Sequence, residues 1–186
     1  MASTLLSFED FQRILLLALP LVFGGILHMI VVKMDVLSYL KKPIHHRWFG
    51  ANKTWRGFII MPLATWPGVM LAQNLELLLD LSTPLLTFHS SFVLSLILGF
   101  AYCLAELPNS YLKRRLGIKE GSTSERYKIF FILLDQADSA FGCLIAYKLV
   151  LAISWPVFWG TIIFGTVIHL FFNVLLYCLK IRKNPF

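Results

Sequence analysis

The sequence predicts an all-α integral membrane protein of about five transmembrane helices joined by two basic cytoplasmic loops. Three observations carry this: composition, apolar runs and the placement of charge. Of the 186 residues, 58% are hydrophobic and mean hydropathy is +0.72, whereas a soluble domain is about 45–50% apolar. Runs near or above the ~20 residues needed to cross a bilayer fall at about residues 14–32, 58–79, 88–107, 129–149 and 152–179, the last long enough to tilt or kink near its start. The net charge of +7 is unevenly spread. Lys33, Lys41, Lys42, Arg47, Lys53 and Arg56 separate the first two runs, Lys113, Arg114, Arg115, Lys119, Arg126 and Lys128 separate the third and fourth, and Lys180, Arg182 and Lys183 follow the fifth. Because Lys and Arg collect in cytoplasmic loops, this alternation places the amino terminus outside and both basic loops and the carboxyl terminus inside, with only Arg13 and Lys148 near the far side.

Taken in order, Ser7 followed by Asp10 resembles an N-cap leading into the first helix. Residues 1–13 carry Glu9 and Asp10 against one base and lack a small-residue cleavage site, so they do not read as a removable signal peptide. Asp35 closes the first span among bases and is expected to pair with one of them. The outer connections, residues 80–87 and 154–156, are short and chemically plain, which puts the functional surface on the cytoplasmic side. Cys103, Cys143 and Cys178 lie in apolar segments without metal-type spacing and read as packing residues. No repeat or long linker divides the chain, so residues 1–186 are expected to form a single transmembrane domain.

Within the fourth span stand Asp135 and Asp138. A carboxylate at mid-membrane costs roughly 2.5–3.5 kcal/mol on insertion scales, so such an acid marks a candidate functional site. The i, i+3 spacing puts both on one helix face, where they can hold a hard divalent cation through oxygen, as Mg²⁺ requires. The alternative is a pair of buried acids neutralised by nearby Arg or Lys.

The first basic loop contains Gly50-Ala51-Asn52-Lys53-Thr54-Trp55-Arg56-Gly57, two cations, an amide and a hydroxyl between glycines just before a helix. Glycine lets a backbone approach an anion, a helix amino terminus offers free N–H groups, and Lys and Arg supply charge, all of which suit phosphate; a turn that only touches anionic headgroups is the alternative. The second loop opens with Glu106 and continues through Ser110 to Lys113, Arg114 and Arg115, an acid beside a triple base. These bases can orient phosphoryl oxygens while Glu106 joins a metal shell or holds a base; the run can equally be a topology determinant. His45 and His46 are adjacent and share no helix face, and His28 and His169 are expected to make helix-to-helix hydrogen bonds. Acids at inner helix ends and bases in both inner loops describe a place where metal and several phosphates meet, fitting a nucleoside triphosphate and a phospholipid.

In these motifs the chain resembles CDP-archaeol synthase, within the wider group of membrane cytidylyltransferases that includes phosphatidate cytidylyltransferase. The family pattern Gly-Asp-Gly-Lys-Thr-Trp/Tyr-Arg-Gly is met by Gly50 to Gly57, its acid, Ser and Lys-Arg-Arg-Leu-Gly-Ile by Glu106, Ser110 and Lys113 to Ile118, its Asp-Gln-x-Asp by Asp135 to Asp138, and its ending by Asn173 and Arg182-Lys183-Asn184-Pro185-Phe186. Ala51-Asn52 stands in place of Asp-Gly, and Ala105-Glu106 in place of Gly-Asp. The resemblance implies transfer of a cytidylyl group from CTP to a lipid phosphate, giving a CDP-lipid and pyrophosphate. It implies Mg²⁺ on Asp135 and Asp138 with Glu106 assisting, nucleotide phosphates on Lys53 and Arg56, and hydrogen bonds from Asn52 and Thr54. Lys113, Arg114 and Arg115, with Ser110 beside them, would receive the lipid phosphate or departing pyrophosphate. The expected partners are CTP, a lipid phosphate and membrane lipids, with no nucleic acid and with a homo-oligomer left open. Two other classes remain: a cation-coupled transporter built on the same acids, and a membrane protein that binds lipid or nucleotide without turnover.

Overall fold

The structure, a computed structural model, describes residues 6–120, 122 and 127–181. Arg126 and the ending Arg182 to Phe186 lie outside the described residues. Five long helices carry the fold: α1 (Phe8–Lys33), α3 (Trp55–Leu78), α4 (Ser91–Arg115), α5 (Lys128–Val150) and α6 (Trp155–Cys178), with a 3₁₀ turn at Ser38–Leu40 and a one-turn α2 (His46–Phe49) between α1 and α3. Each of the five is long and apolar enough to cross a membrane, so the chain is an all-α integral membrane protein.

Local chemistry sets the ends. Ser7 and Asp10 form a reciprocal capping box at the start of α1, each satisfying an N–H that the helix leaves open. Ser90 and Ser154 cap α4 and α6 through the amides of Val93 and Val157. α4 ends at a Schellman turn: Gly117 takes φ +72°, its N–H donates to Arg114 O, and that of Ile118 donates to Lys113 O, as this motif requires.

One expectation is corrected here. The hydropathy pattern puts Glu106, Ser110, Lys113, Arg114 and Arg115 at the opening of a loop, and all five lie on α4, which continues to Arg115. Hydropathy marks where a helix leaves lipid, whereas the helix itself runs on through Tyr111, Leu112 and the bases, whose charges suit its negative end. Pro108 is carried inside α4, removing one backbone donor, which membrane helices tolerate.

α1 packs on α3, α3 on α4, α4 on α5, α5 on α6 and α6 on α1, so the helices close a ring. Close approach is set by glycine. A Cβ on Gly99 would lie 2.3 Å from Pro62 Cα, and one on Gly142 would lie 2.3 Å from Ala105 Cβ. Ala105, the departure from the family's Gly, is thus accommodated by a glycine on α5. Leu17, Val69, Leu94, Leu98, Leu144 and Tyr147 are essentially fully buried and fill the half of the ring away from the basic segments. Leu63, Phe100, Leu104, Ile163, Val167 and Phe171 stay exposed on the ring's outside, the surface that lipid covers. Toward the basic end the ring opens into a cavity of about 940 Å³ lined from all five long helices and from the segment between α1 and α3.

Candidate functional site

At the cavity, α5 offers the two carboxylates and α4 meets them. Asn109 Nδ2 donates to Asp135 Oδ1 at 2.6 Å and to Asp138 Oδ2 at 2.9 Å. Lys113 Nζ donates to both Asp135 oxygens, at 2.6 and 2.5 Å, and lies 5.5 Å from the Phe131 ring centroid. Asp138 Oδ1 accepts from the Ser139 N–H at 2.6 Å. Asn109 is 7% exposed, and its Oδ1 is buried with no hydrogen-bond partner among the described residues. Asn109 lines the cavity, and that oxygen can accept a further hydrogen bond there. On α6, Asn173 Nδ2 donates to Gln136 Oε1 at 2.5 Å, and His169 Nδ1 lies 3.4 Å from Gln136 O, fixing α6 beside the carboxylates.

The segment between α1 and α3 folds over the cavity mouth. An antiparallel bridge pairs Pro43 with Thr54, flanked by Ile44 N–H to Lys53 O at 2.9 Å and Trp55 N–H to Lys42 O at 3.1 Å. This pins Lys53 and Thr54 at the start of α3. Lys53 forms an ion pair with Glu106 of α4, tying the segment to the ring. Arg56, 3% exposed, donates from Nη1 to Asp35 Oδ1 at 2.9 Å, and Lys41 reaches the same oxygen at 3.0 Å. The Lys41 and Arg56 hydrogen bonds hold the Asp35 carboxyl below its ordinary range. Glu120, beyond the turn at Gly117, returns to this segment: Ala51 N–H donates to Glu120 Oε1 at 3.2 Å, with Arg114 Nη1 3.7 Å away and His46 Nε2 3.9 Å away. Its own backbone N–H and that of Ala51 lower its carboxyl from the ordinary value.

A sequence profile of the CarS-like CDP-archaeol synthase family matches residues 43–186. The chain belongs to this family. It is 27% identical over 153 residues to the CDP-archaeol synthase of Archaeoglobus fulgidus, covering 75% of this chain and 76% of that protein. It is 32% identical over 139 residues to the CDP-archaeol synthase of Pyrobaculum islandicum, covering 75% and 74% respectively. No solved structure matches.

In this family member Asp135, Asp138, Glu106, Lys53, Asn52, Thr54, Arg56, Ser110, Lys113 and Arg114 all line the one cavity. Arg115 does not: it is exposed and its guanidinium stacks 4.8 Å from the Tyr111 ring. Sequence reasoning assigns no role to Asn109 or Glu120. Asn109 has a readable signal, since it lies three residues after Glu106 and four before Lys113, on the helix face they share once α4 is taken as helix. Glu120 has none, because its approach to Ala51 depends on the Gly117 turn. His45 caps α2 by accepting from Trp48 N–H at 3.2 Å, which makes it a loop residue. Cys103 and Cys143 are buried as packing residues, and Cys178 is exposed.

The atoms at the carboxylates that could ligate a cation are oxygens, those of Asp135 and Asp138 themselves and Asn109 Oδ1. No group of three or more His, Cys, Asp and Glu that could hold a metal occurs among the described residues, and Glu106 is engaged by Lys53. The oxygens that could hold a Mg²⁺ ion, which needs few protein ligands, are those of Asp135, Asp138 and Asn109 Oδ1, and Lys113 engages both Asp135 oxygens as the site stands.

Proposed function

We propose that the chain is a lipid cytidylyltransferase, moving CMP from CTP to a lipid phosphate and releasing pyrophosphate at the basic end of the ring. The observation that carries this is one cavity with paired carboxylates on α5 faced by Lys113, Arg114, Lys53 and Arg56, walled by helices that touch lipid. A water-soluble triphosphate and a membrane-held phosphate can meet only where both phases reach one charged site. The names of its relatives favour an archaeal-type ether phosphate over diacyl phosphatidate as the acceptor. The excess of Lys and Arg at this end favours the cytoplasm as the compartment it faces, where CTP is found.

In the reaction a lipid phosphate oxygen attacks the α-phosphorus of CTP, a new P–O bond forms in line, and the bond to the departing pyrophosphate breaks. The lipid phosphate is itself the nucleophile, so the protein's work is positioning and charge stabilisation. Lys53 and Arg56, with Asn52 and Thr54, hold nucleotide phosphates; Lys113 and Arg114 balance charge on the acceptor or leaving group, with Ser110 beside them. Binding of a polyanion offers Lys113 a competitor to Asp135 and frees that carboxylate. Mg²⁺, when bound by Asp135, Asp138 and Asn109 Oδ1, would neutralise phosphate oxygens around the reacting phosphorus.

The test is label transfer from cytosine-labelled CTP into extractable lipid by the purified chain with Mg²⁺, offering phosphatidic acid and geranylgeranyl ether phosphate separately. Labelled CDP-lipid with the ether phosphate is expected. No label with either acceptor, from protein shown to be folded, overturns the reading and leaves a binder without turnover.

A further inference from the structure

Glu120 reaches into the anion-binding segment from a distant part of the chain. Its carboxylate accepts from Ala51 N–H, stands 3.7 Å from Arg114 Nη1 and 3.9 Å from His46 Nε2. Gly50, at φ +83°, makes room for it: a Cβ there would lie 2.6 Å from Glu120 Cγ and 3.1 Å from Arg114 Nη1. A backbone N–H, a guanidinium and an imidazole around a gap kept open by glycine is the chemistry that binds phosphate. The carboxylate fits it incompletely. Arg114 is ion-paired with Glu120, yet its Nε and Nη1 are buried and make no hydrogen bond among the described residues. A planar carboxylate supplies two oxygens; a phosphate group supplies more, spread in three dimensions, and can reach donors that Glu120 leaves unmet.

We propose that Ala51 N–H, His46 and Arg114 form a seat for a substrate phosphate group, and that Glu120 holds this seat until the phosphate displaces it. Ala51, Arg114 and Glu120 line the same cavity as Asp135 and Asp138, with His46 outside its lining, so the identity of the phosphate rests on the cytidylyltransferase reading above. Displacement turns Glu120 into a selector. A ligand must outcompete an internal anion, which a neutral headgroup cannot do, and the measured affinity is the intrinsic affinity reduced by the fraction of time the seat is open. The displaced carboxylate is already partly in water, with its side chain 33% exposed, so its release gives up one hydrogen bond from Ala51 N–H and two long charge contacts and gains hydration.

The full chain in lipid nanodiscs would be titrated with inorganic pyrophosphate, with CTP, and with a short-chain phosphatidic acid, comparing wild type, Glu120→Ala and Glu120→Asp. Glu120→Ala is expected to bind one class about tenfold more tightly, as for a seat closed about nine-tenths of the time. Glu120→Asp keeps the charge but draws it back by one methylene, and is expected to retain a gain of about threefold or more. Tightening of pyrophosphate and CTP assigns the seat to the nucleotide; tightening of the lipid phosphate alone assigns it to the acceptor. Unchanged or weaker binding of all three by Glu120→Ala, with its melting temperature retained, overturns the proposal, as does a gain with Ala that Asp abolishes, since the cause would then be net charge. A lower melting temperature with weaker binding would make Glu120 a structural brace and overturn it too. Pyrophosphate binding needs no turnover, so failure of label transfer in the wild type would remove the functional reading without deciding this one.

Discussion

Two acidic sites lie at opposite ends of the ring, one buried and one partly open, and they are built differently. Glu76, 2% exposed, sits near the end of α3 and accepts from the N–H groups of Leu85, Leu86 and Thr87 at 2.7, 2.8 and 2.8 Å and from Thr87 Oγ1 at 2.5 Å. Main-chain donors meet both of its oxygens, and the α3–α4 connection is wrapped on it. Asp135 and Asp138 are met chiefly by two side chains of another helix, Asn109 and Lys113, and the neighbourhood keeps unmet atoms: Asn109 Oδ1, Arg56 Nε, Arg114 Nε and Nη1. A carboxylate completed by backbone is committed to the fold, because releasing it would break the loop. One completed by a lysine and an amide can exchange partners when a ligand arrives. Burial separates the two sites, with the Asp135 side chain 28% exposed, and the kind of donor separates them further.

The comparison breaks if the α5 acids prove structural. Asp138→Asn is expected to cut cytidylyl transfer by roughly 100- to 1,000-fold, the scale for loss of one preorganised electrostatic group, while insertion and melting temperature stay near wild type. Transfer within about threefold of wild type would remove Asp138 from the site. Glu76→Ala should do the reverse. Stranding several main-chain donors costs about 1–3 kcal/mol each in principle. The variant should therefore unfold at clearly lower temperature, while the fraction still folded transfers CMP at the wild-type rate. A Glu76 variant with normal stability and lost activity would erase the distinction between the two ends.

Lys53 sharpens the contrast, because it is a base that the fold already uses. It is paired with Glu106, so Lys53→Ala removes a phosphate ligand and also strands an acid. CTP affinity is expected to fall roughly 10-fold or more, as for loss of a charge-assisted hydrogen bond. Adding Glu106→Gln separates the two effects by a double-mutant cycle: if stranding dominates, the double variant recovers affinity, and if Lys53 grips phosphate directly, it does not. Full recovery would move Lys53 from binding to support.

Much of this architecture is legible in the amino-acid sequence. Five apolar runs become five helices because a bilayer makes length and apolarity sufficient, and the Ser7–Asp10 box fixes where the first begins. Asp135 and Asp138 are conspicuous because acids in apolar sequence are costly, and the pairing of Asp35 with a base follows from the cations around it. Three things are hidden. The last turns of α4 carry polar residues, so hydropathy ends the span at about residue 107 while the helix reaches Arg115. Asn109 is neutral and draws no attention until it is seen between two carboxylates. Glu120 meets Ala51 across 69 positions of chain, and no local pattern encodes that. Arg56 reads from its motif as a phosphate ligand, and its Asp35 partner, 21 residues earlier, shows that it arrives at the cavity already neutralised.

That pair supports the smallest effect expected. Asp35 is half-exposed, with a side chain 53% open, whereas the Arg56 side chain is 4% open, so the burden of breaking the pair falls on Arg56. Lys41 and Arg56 hold the Asp35 carboxyl below its ordinary value. A carboxyl depressed in the folded state adds stability above its unfolded value and loses it as pH falls through that value toward the folded one. The melting temperature of wild type should therefore exceed that of Asp35→Asn by a few degrees at most near neutrality, solvent screening keeping such a pair weak. The gap should close as pH drops below the ordinary carboxylate range. A gap that persists at low pH would mean that Asp35 works by something other than its charge, since Asn tolerates the left-handed φ of +51° as Asp does. Arg56 would then be held by the fold around it, and free to turn to a phosphate without losing a partner.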